Sequence, residues 1–383
     1  MKRTGLVLLL LLWVGSWFLL PVSAAGEVPD VSATAAVVME AETGQVLYGK
    51  NEDASMVMAS TTKILTALLA LESGNLDLPF TVDSDAIQVE GTSMGLQPGD
   101  QATLRTLACG MLLSSGNDAA NAAAVRIAGS LEEFAVLMNQ RAAQLGMTGS
   151  SFVTPSGLDA QGHYTTAKDM ALLTRTALQN PDFAAICSQK SMKVSFGNPP
   201  AVRWLSNHNR LLSEMPGCVG VKTGFTKLAG RCLVSAACRD GVTLICVTLK
   251  APNDWDDHKK LMNWGFDQLE TVFLTASLTG VVVPVGGSGT AVPVVQRTPV
   301  EVVLPAGSTG QLEEERQLPS FVYGPVKAGE PLGEVRWYLT QDGQRQLVAS
   351  ATLTAGADVA LPEEKIPLLR RMIGWCWRFF HHF

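Results

Sequence analysis

The chain has 383 residues, of which 17% are charged and 47% are hydrophobic, the composition of an ordinary folded protein large enough for two domains. The formal net charge of −6 and the isoelectric point near 5.5 argue against nucleic-acid binding.

The N-terminal residues predict a targeting segment that is not part of the fold. Lys2 and Arg3 form a basic start, the stretch from Leu6 to Leu20 is strongly apolar, and small residues at 23–25 offer a cleavage site. This pattern indicates a signal peptide over residues 1–25, with an uncleaved signal anchor as the alternative. In either case the bulk of the protein is expected to be exported.

Cysteine and histidine usage predicts no metal site. The sequence has no C-x-x-C and no H-E-x-x-H motif, and its five histidines are dispersed. The seven cysteines are scattered, at Cys109, Cys187, Cys218, Cys232, Cys238, Cys246 and Cys376. We expect most of these thiols to be small buried hydrophobes, and the pattern leaves one or two disulfide bridges open.

The first elements of the fold are a predicted hairpin and a helix. The runs 35–41 and 45–48 read as strands joined by a turn at 42–44. The run from Ile64 to Leu71 has no Gly or Pro, is apolar nearly all round, and ends before Gly74. We therefore expect a buried central helix, in an α+β domain with helices on an antiparallel sheet.

Ser60 lies at the start of this predicted helix, and Lys63 follows one turn later on the same face. A serine hydroxyl needs a base near pH 7, and a lysine whose pKa is lowered by burial can be that base. The helix dipole would also favour negative charge at Ser60. A structural interpretation is available as well, because serine is a good N-cap and S-x-x-K occurs by chance.

Residues 91–95 match G-x-S-x-G, the nucleophile elbow of α/β-hydrolases. That elbow requires a helix directly after the motif, whereas Pro98 and Gly99 follow here and indicate a turn. We therefore predict a loop.

Two helices are predicted next, over 103–113 and 119–128, with Ser115-Gly116-Asn117 in a short loop between them. Ser, Gly and Asn are also ordinary loop residues, so this motif alone is weak. A third helix opens near residues 164–169 with a capping pattern.

Lys222-Thr223-Gly224 precedes two strand-like runs, 231–237 and 242–249, joined by a hairpin turn. We expect this motif on or beside a sheet strand, where the glycine permits close approach of a ligand backbone. The motifs S-x-x-K, S-x-N and K-T-G, in this order, form a specific constellation.

From about residue 30 to residue 360 the chain resembles the exported serine-type D-Ala-D-Ala carboxypeptidases, the low-molecular-mass penicillin-binding proteins of peptidase family S11. The similarity extends to Gly157-Leu158 and to the segment 164–167. The resemblance implies an α+β, β-lactamase/transpeptidase-like catalytic domain over 26–278, an antiparallel sheet with helices on both faces plus a helical subdomain. A small all-β domain over 279–362 would follow it.

The resemblance also implies roles for the motif residues. Ser60 would be the acyl-forming nucleophile and Lys63 its general base. Ser115 would relay a proton to the departing D-alanine, and Asn117 would hold the acylated peptide.

The K-T-G strand would form the substrate-binding edge. By resemblance, Lys222 and Thr223 would bind the terminal carboxylate of a peptidoglycan stem peptide, with Gly224 and Phe225 beside them. The N–H groups of Ser60 and Phe225 would form the oxyanion hole. β-Lactam antibiotics would be covalent inhibitors, and no metal or organic cofactor is needed.

Three other functions share this chemistry. A class A β-lactamase uses a glutamate after S-x-N, whereas this chain has no glutamate between Glu133 and Glu214, which favours a carboxypeptidase. A strict transpeptidase is not distinguished by the motifs. A penicillin-recognising sensor without turnover is disfavoured by the presence of the complete motif set.

The region after residue 280 loses its helical pattern. Short strands are predicted at 281–283, 300–304, 333–339 and 345–349, with a hairpin turn at 341–343 and a flexible link at 286–290. It carries no catalytic constellation, so a spacer or interaction role is expected.

Residues 363–383 predict an amphipathic helix. Its Trp, Phe, Leu, Ile and Met residues fill one arc of about 200°, opposite Arg370, Arg371, Arg378 and the histidines. This division is typical of a helix lying in a membrane interface, here the outer face of the cytoplasmic membrane. Docking on the protein's own core is the alternative.

Overall fold

The computed structural model describes residues 27–341 and 344–362. The predicted signal peptide and the predicted amphipathic helix lie outside these residues, as do Cys376 and the turn residues 342 and 343.

The α-helices of the described chain are α1 (Lys63–Glu72), α2 (Leu104–Leu112), α3 (Asn117–Ala128), α4 (Leu131–Gln144), α5 (Ala167–Gln179), α6 (Pro181–Cys187), α7 (Leu211–Glu214) and α8 (Asp254–Asp267). The strands of the catalytic region are β1 (Ala35–Glu40), β2 (Val46–Lys50), β3 (Phe80–Thr81), β4 (Gln101–Ala102), β5 (Ser191–Phe196), β6 (Ala201–Ser206), β7 (Cys218–Thr226), β8 (Gly230–Arg239) and β9 (Val242–Leu249). The remaining strands are β10 (Leu269–Leu274), β11 (Val282–Gly286), β12 (Thr290–Val295), β13 (Val300–Pro305), β14 (Leu312–Gln317), β15 (Val322–Tyr323), β16 (Pro331–Gln341) and β17 (Gln344–Ala355).

A five-stranded antiparallel sheet in the order β2-β1-β9-β8-β7 organises the catalytic region. Both predicted hairpins, β1–β2 and β8–β9, are present in it. Successive side chains of β1 point to opposite faces, and both faces are buried. Val37 packs in the core that includes α1 and α5, while Val38 packs in the core that includes α8. The predicted sheet with helices on both faces is therefore confirmed.

Helix α1 is the buried centre of the larger core. Ile64, Leu65 and Leu68 are fully buried, and the helix packs against α2, α3 and α5. Burying each such side chain stabilises the fold by about 1.5–3 kcal/mol. The 3-10 turn Ala59–Thr62 leads into α1, so Ser60 stands immediately before the helix, as predicted.

The helix borders around the S-x-N motif differ in one respect from prediction. Thr103 caps α2 by accepting from the Thr106 N–H at 3.1 Å, close to the predicted start. Helix α3, however, begins at Asn117, so Asn117 belongs to its first turn and not to the loop. The reason is that the Asn117 N–H is already satisfied by the Thr92 carbonyl at 2.7 Å, a partner from a distant loop.

The C-terminal region is β-rich, as predicted. A six-stranded sheet in the order β14-β16-β17-β12-β11-β15 and the β10–β13 pair enclose a separate core around Val292, Val335 and Leu353. The predicted flexible link at 286–290 is wrong: these residues are the end of β11, a turn at 287–289 and the start of β12, and Val285 pairs with Thr290 in this hairpin. The predicted boundary after residue 278 falls inside this region, because β10 already pairs with β13.

The six cysteines in the described residues are free thiols, and Cys109, Cys187, Cys232 and Cys246 are buried. In the described residues no helix is long and apolar enough to cross a membrane.

Candidate active site

The fold brings the three predicted motifs to one cavity of about 330 Å³. Ser60 comes from the 3-10 turn before α1, Ser115 from the residues before α3, and Thr223 from β7, the edge strand of the sheet. The cavity is lined by Ser60, Thr92, Ser115, His208, Thr223, Gly224, Phe225, Arg231, Asp254 and Trp255.

The Lys63 amine is fully buried between the first two motifs. Its Nζ lies 2.9 Å from Ser60 Oγ, 2.6 Å from Asn117 Oδ1 and 2.6 Å from the carbonyl oxygen of Ser156. Burial holds the pKa of Lys63 well below its usual range, and the charge of Lys222 lowers it further. Asp118 acts in the opposite direction and raises that pKa.

Ser115 and Lys222 form a second pair. Lys222 donates to Ser115 Oγ at 3.0 Å and to the Thr223 carbonyl at 2.7 Å. Lys222 is buried, and burial lowers its pKa to about 7. Ser115 has φ of 59°, a left-handed conformation that a residue with a Cβ adopts only where its surroundings fix it.

The Asn117 amide bridges the Lys63 amine and a loop. Its Oδ1 accepts from Lys63, and its Nδ2 donates to the Glu90 carbonyl at 2.6 Å. Gly91 lies beside it, and a Cβ on Gly91 would come within 2.7 Å of Nδ2. The loop thus fixes which atom of the amide faces Lys63.

Gly224 allows β7 to lie against the turn that carries Ser60. A Cβ on Gly224 would lie 3.1 Å from Met58 O, Ser60 N and Thr61 N alike. Such contacts are tighter than most Cβ atoms tolerate, so the glycine serves the close approach of the two backbones. Phe225 follows with its side chain 65% exposed on the cavity wall.

Two residues near Ser60 belong to no recognisable sequence motif. Ser156 supplies the carbonyl that accepts from Lys63, a main-chain role that side-chain identity does not reveal. His163 is buried, with Nε2 2.9 Å from Thr62 Oγ1 and Nδ1 accepting from the Val153 N–H at 3.0 Å. Burial lowers the pKa of His163 to about 4, so it is neutral near pH 7.

The G-x-S-x-G segment is a loop, as predicted, and no helix follows it directly. The Ser93 hydroxyl is used inside the loop: its Oγ donates to Asp118 Oδ2 at 2.6 Å and accepts from the Gly95 N–H at 2.8 Å. The elbow interpretation is therefore excluded by the local structure.

Comparisons with known proteins place the chain in a family. Residues 22–253 match the family model for D-alanyl-D-alanine carboxypeptidase, peptidase S11. The D-alanyl-D-alanine carboxypeptidase DacF of Bacillus subtilis is 30% identical over 338 residues, covering 85% of this chain and 86% of that protein. DacB2 of Mycobacterium tuberculosis is 36% identical over 260 residues, covering 65% and 88%.

Solved structures give the same result. Penicillin-binding protein 5 of Haemophilus influenzae is similar with a TM-score of 0.64 and 27% identity, covering 87% of this chain and 99% of that chain. The carboxypeptidase DacD of Francisella tularensis has a TM-score of 0.63 and 26% identity, covering 87% and 95%. The chain belongs to the D-alanyl-D-alanine carboxypeptidase family, peptidase S11, and is a serine-type carboxypeptidase.

Proposed function

We propose that this chain removes the terminal D-alanine from peptidoglycan stem pentapeptides through an acyl-enzyme on Ser60. The observation that carries the proposal is the set of three oxygen atoms around the Lys63 amine. Asn117 Oδ1 and the Ser156 carbonyl can only accept hydrogen bonds, whereas the Ser60 hydroxyl can also donate.

This set fits a neutral amine. A neutral amine has two hydrogens and one lone pair, so it can donate to Asn117 Oδ1 and the Ser156 carbonyl and accept from the Ser60 hydroxyl. The lowered pKa of Lys63 favours that state near pH 7. Lys63 is then oriented as a general base for the Ser60 proton.

Acylation follows from this arrangement. Lys63 takes the Ser60 proton as Oγ attacks the carbonyl carbon of the scissile peptide bond. The oxyanion that forms would be held by the backbone N–H groups of Ser60 and Phe225. Ser115 passes a proton to the departing amine of D-alanine, and Lys222, 3.0 Å from Ser115 Oγ, resupplies it. Water then hydrolyses the Ser60 ester. Its proton passes through Ser115 to Lys222, which gave one up during acylation, and the Lys63 ammonium returns its proton to Ser60 Oγ as the ester bond breaks.

Substrate selection would rest on the free carboxylate of the terminal D-alanine. The Thr223 hydroxyl and the Lys222 charge would bind this carboxylate, and Asn117 would hold the acylated peptide. Gly224 and Phe225 would form the adjacent wall, where Gly224 lets the peptide backbone approach. β-Lactams, which also present a carboxylate beside a reactive amide, would acylate Ser60 as inhibitors.

The β-lactamase alternative lacks the glutamate that class A enzymes use for deacylation, since none stands between Glu133 and Glu214. The three aspartates between Glu133 and Glu214 have other partners. Asp159 accepts from Thr226, Asp169 accepts from Ser150, and Asp182 pairs with Arg105. This supports peptide hydrolysis as the main activity.

The test is D-alanine release from a diacetyl-Lys-D-Ala-D-Ala peptide, with the Ser60→Ala variant as control. We expect release by the unaltered chain and none by the variant. Penicillin capture without release would point instead to a transpeptidase or a sensor. The absence of both penicillin capture and D-alanine release would contradict the role of Ser60.

We also propose that residues 363–383 hold the enzyme on the outer face of the cytoplasmic membrane. Leu361 packs against Gly287 and Gly324, beside the aromatic pair Phe321 and Tyr323, whose ring centroids are 5.2 Å apart. Tyr323 is 81% exposed. Leu361, two residues before this segment in the sequence, therefore lies next to exposed aromatic side chains, which are enriched at membrane interfaces.

A chain ending at Glu364 tests the anchor. We expect the mature chain, residues 26–383, to sediment with anionic vesicles and the mature chain shortened to residues 26–364 to remain in the supernatant. Equal sedimentation of the two would contradict the proposal.

A further inference from the structure

The buried carboxylate of Asp118 lies next to the S-x-N motif, and the proposed reaction does not use it. Asp118 is 2% exposed and stands in the first turn of α3. It accepts hydrogen bonds from Ser93 Oγ (2.6 Å) and from the N–H groups of Met94 (2.9 Å), Gly95 (3.0 Å), Leu96 (3.0 Å) and Ala119 (2.9 Å). Four of these five donors belong to the G-x-S-x-G loop and the residue after it.

The N-terminal end of the same loop is hydrogen-bonded to residues of the S-x-N motif. Residues 90–96, called the clamp loop below, bind both Ser115 and Asn117. Thr92 Oγ1 donates to the Ser115 carbonyl at 2.6 Å, and the Asn117 N–H donates to the Thr92 carbonyl at 2.7 Å. The Glu90 carbonyl accepts from Asn117 Nδ2 at 2.6 Å.

The clamp loop therefore has two attachments to the start of α3. Residues 93–96 bind the Asp118 carboxylate, and residues 90–92 bind Ser115 and Asn117. Ser115 needs such support, because its left-handed backbone is unfavourable for a residue with a side chain. Gly116 between the two contributes no side-chain cap to the helix.

We propose that Asp118 is a positioning residue for the carboxypeptidase reaction. Its hydrogen bonds hold residues 93–96 against α3. Residues 90–92 are thereby kept in position to hydrogen-bond to Ser115 and Asn117. This preserves the hydrogen bond from the Lys63 amine to Asn117 Oδ1 and the one from the Lys222 amine to Ser115 Oγ. The inference rests on the proposed function, whose own failure would appear separately, as absence of penicillin capture by the unaltered chain.

The charge of Asp118 gives the role a measurable signature. The charged groups that act on the Lys63 amine are Lys222 on β7, which lowers its pKa, and Asp118 on α3, which raises it. Replacing Asp118 by Asn removes the raising influence, so the pKa of Lys63 falls further. The neutral amine then persists to lower pH, and the acid limb of the rate profile moves to lower pH.

The experiment measures the second-order rate of acylation by labelled penicillin against pH, together with the melting temperature. For Asp118→Asn we expect at least a tenfold loss at the optimum and an acid limb displaced to lower pH. The matched control is Asp169→Asn, another buried carboxylate, which accepts from the Gly149 N–H and Ser150 Oγ away from the cavity. It should lower the melting temperature and leave the acid limb in place.

A second variant covers the case in which Asp118→Asn does not fold. Ser93→Ala removes one donor to Asp118 and retains the charge, and Ser93 does not line the cavity. We expect a threefold to tenfold loss of acylation rate with the acid limb unmoved. Acylation at the unaltered rate in Ser93→Ala, or an unmoved acid limb in folded Asp118→Asn, would overturn the proposal.

Discussion

Gly157 lies so close to Ala59 that a Cβ on the glycine would be 2.0 Å from the Ala59 carbonyl oxygen. Ala59 directly precedes Ser60, and Ser156, directly before Gly157, accepts from Lys63 through its carbonyl. Gly157 also has φ of 82°, a conformation that side chains disfavour. This contact therefore sets the separation between the nucleophile's turn and the carbonyl that orients its base.

Replacing Gly157 by Ala should accordingly damage both stability and activity. The new methyl group would force the two backbones apart, and we expect a loss of more than about 3 kcal/mol in unfolding free energy. Gly146→Ala is the matched control, with φ of 76° and no neighbouring atom within 4 Å of the added Cβ. Gly146→Ala should lower the unfolding free energy by only about 1–2 kcal/mol, because only its backbone conformation is unfavourable for alanine. Urea unfolding and penicillin labelling measure the two effects, and equal losses in the two variants would contradict this explanation.

Lys63→Arg should abolish acylation, because it replaces the neutral amine by a group that is always positively charged. Arginine remains protonated at any accessible pH, so it cannot take the Ser60 proton. We expect the rate of penicillin acylation to fall by roughly 10³-fold or more. The control is Lys168→Arg, on α5, whose side chain is 44% exposed and lies near Asp53. A Lys63→Arg variant within tenfold of the unaltered rate would exclude Lys63 as the base.

Binding of the substrate carboxylate should weaken as the pH rises above 7. Lys222 is protonated below its pKa of about 7 and loses its charge above it, whereas the substrate carboxylate stays ionised. The KM for a peptide ending in D-Ala-D-Ala is therefore expected to rise above pH 7, towards a limit of about tenfold per pH unit. A peptide with a terminal carboxamide provides the control, because its KM should be independent of the Lys222 charge. Parallel profiles for the two peptides would contradict the assignment.

The buried histidines should make the protein less stable in acid. The pKa of His163 is about 4 in the folded chain against 6.5 in the unfolded chain, and that of His258 is about 3. Both shifts are downward, so the unfolded chain binds more protons and stability falls as the pH drops below 6.5. His163 alone would contribute a loss of roughly 3 kcal/mol between pH 6.5 and pH 4.

The His163→Gln variant isolates this contribution. Its unfolding free energy should depend less steeply on pH between 6.5 and 4 than that of the unaltered chain, whatever its absolute stability. Identical slopes in the two proteins would show that His163 does not carry the effect.

Much of the architecture was predictable from the sequence because local signals agreed with the fold. The apolar run after Lys63 has one compatible environment, a buried helix, and the Arg239-Asp240-Gly241 segment reads as the β8–β9 turn that it forms. The motif order also indicated which side chains would meet, and Ser60, Ser115 and Thr223 line one cavity.

Other features depend on contacts that no local pattern carries. The start of α3 at Asn117 is set by the Thr92 carbonyl, 25 residues upstream in the chain. The β11–β12 turn was predicted as a flexible link because glycine and serine are common both in hairpin turns and in linkers. The Ser156 carbonyl and the five donors to Asp118 are mostly main-chain groups, which are chemically the same at every residue.

The role of Lys63 as the general base is tested most directly by measuring the protonation state of its amine. The ¹⁵N resonance of the Lys63 side chain, assigned by its absence from Lys63→Arg, can be followed against pH in the unliganded enzyme. We expect the chemical shift of a neutral amine at pH 7, with protonation only at lower pH. An ammonium resonance that persists through pH 7 to above pH 9 would contradict this role, because a protonated Lys63 cannot accept the Ser60 proton.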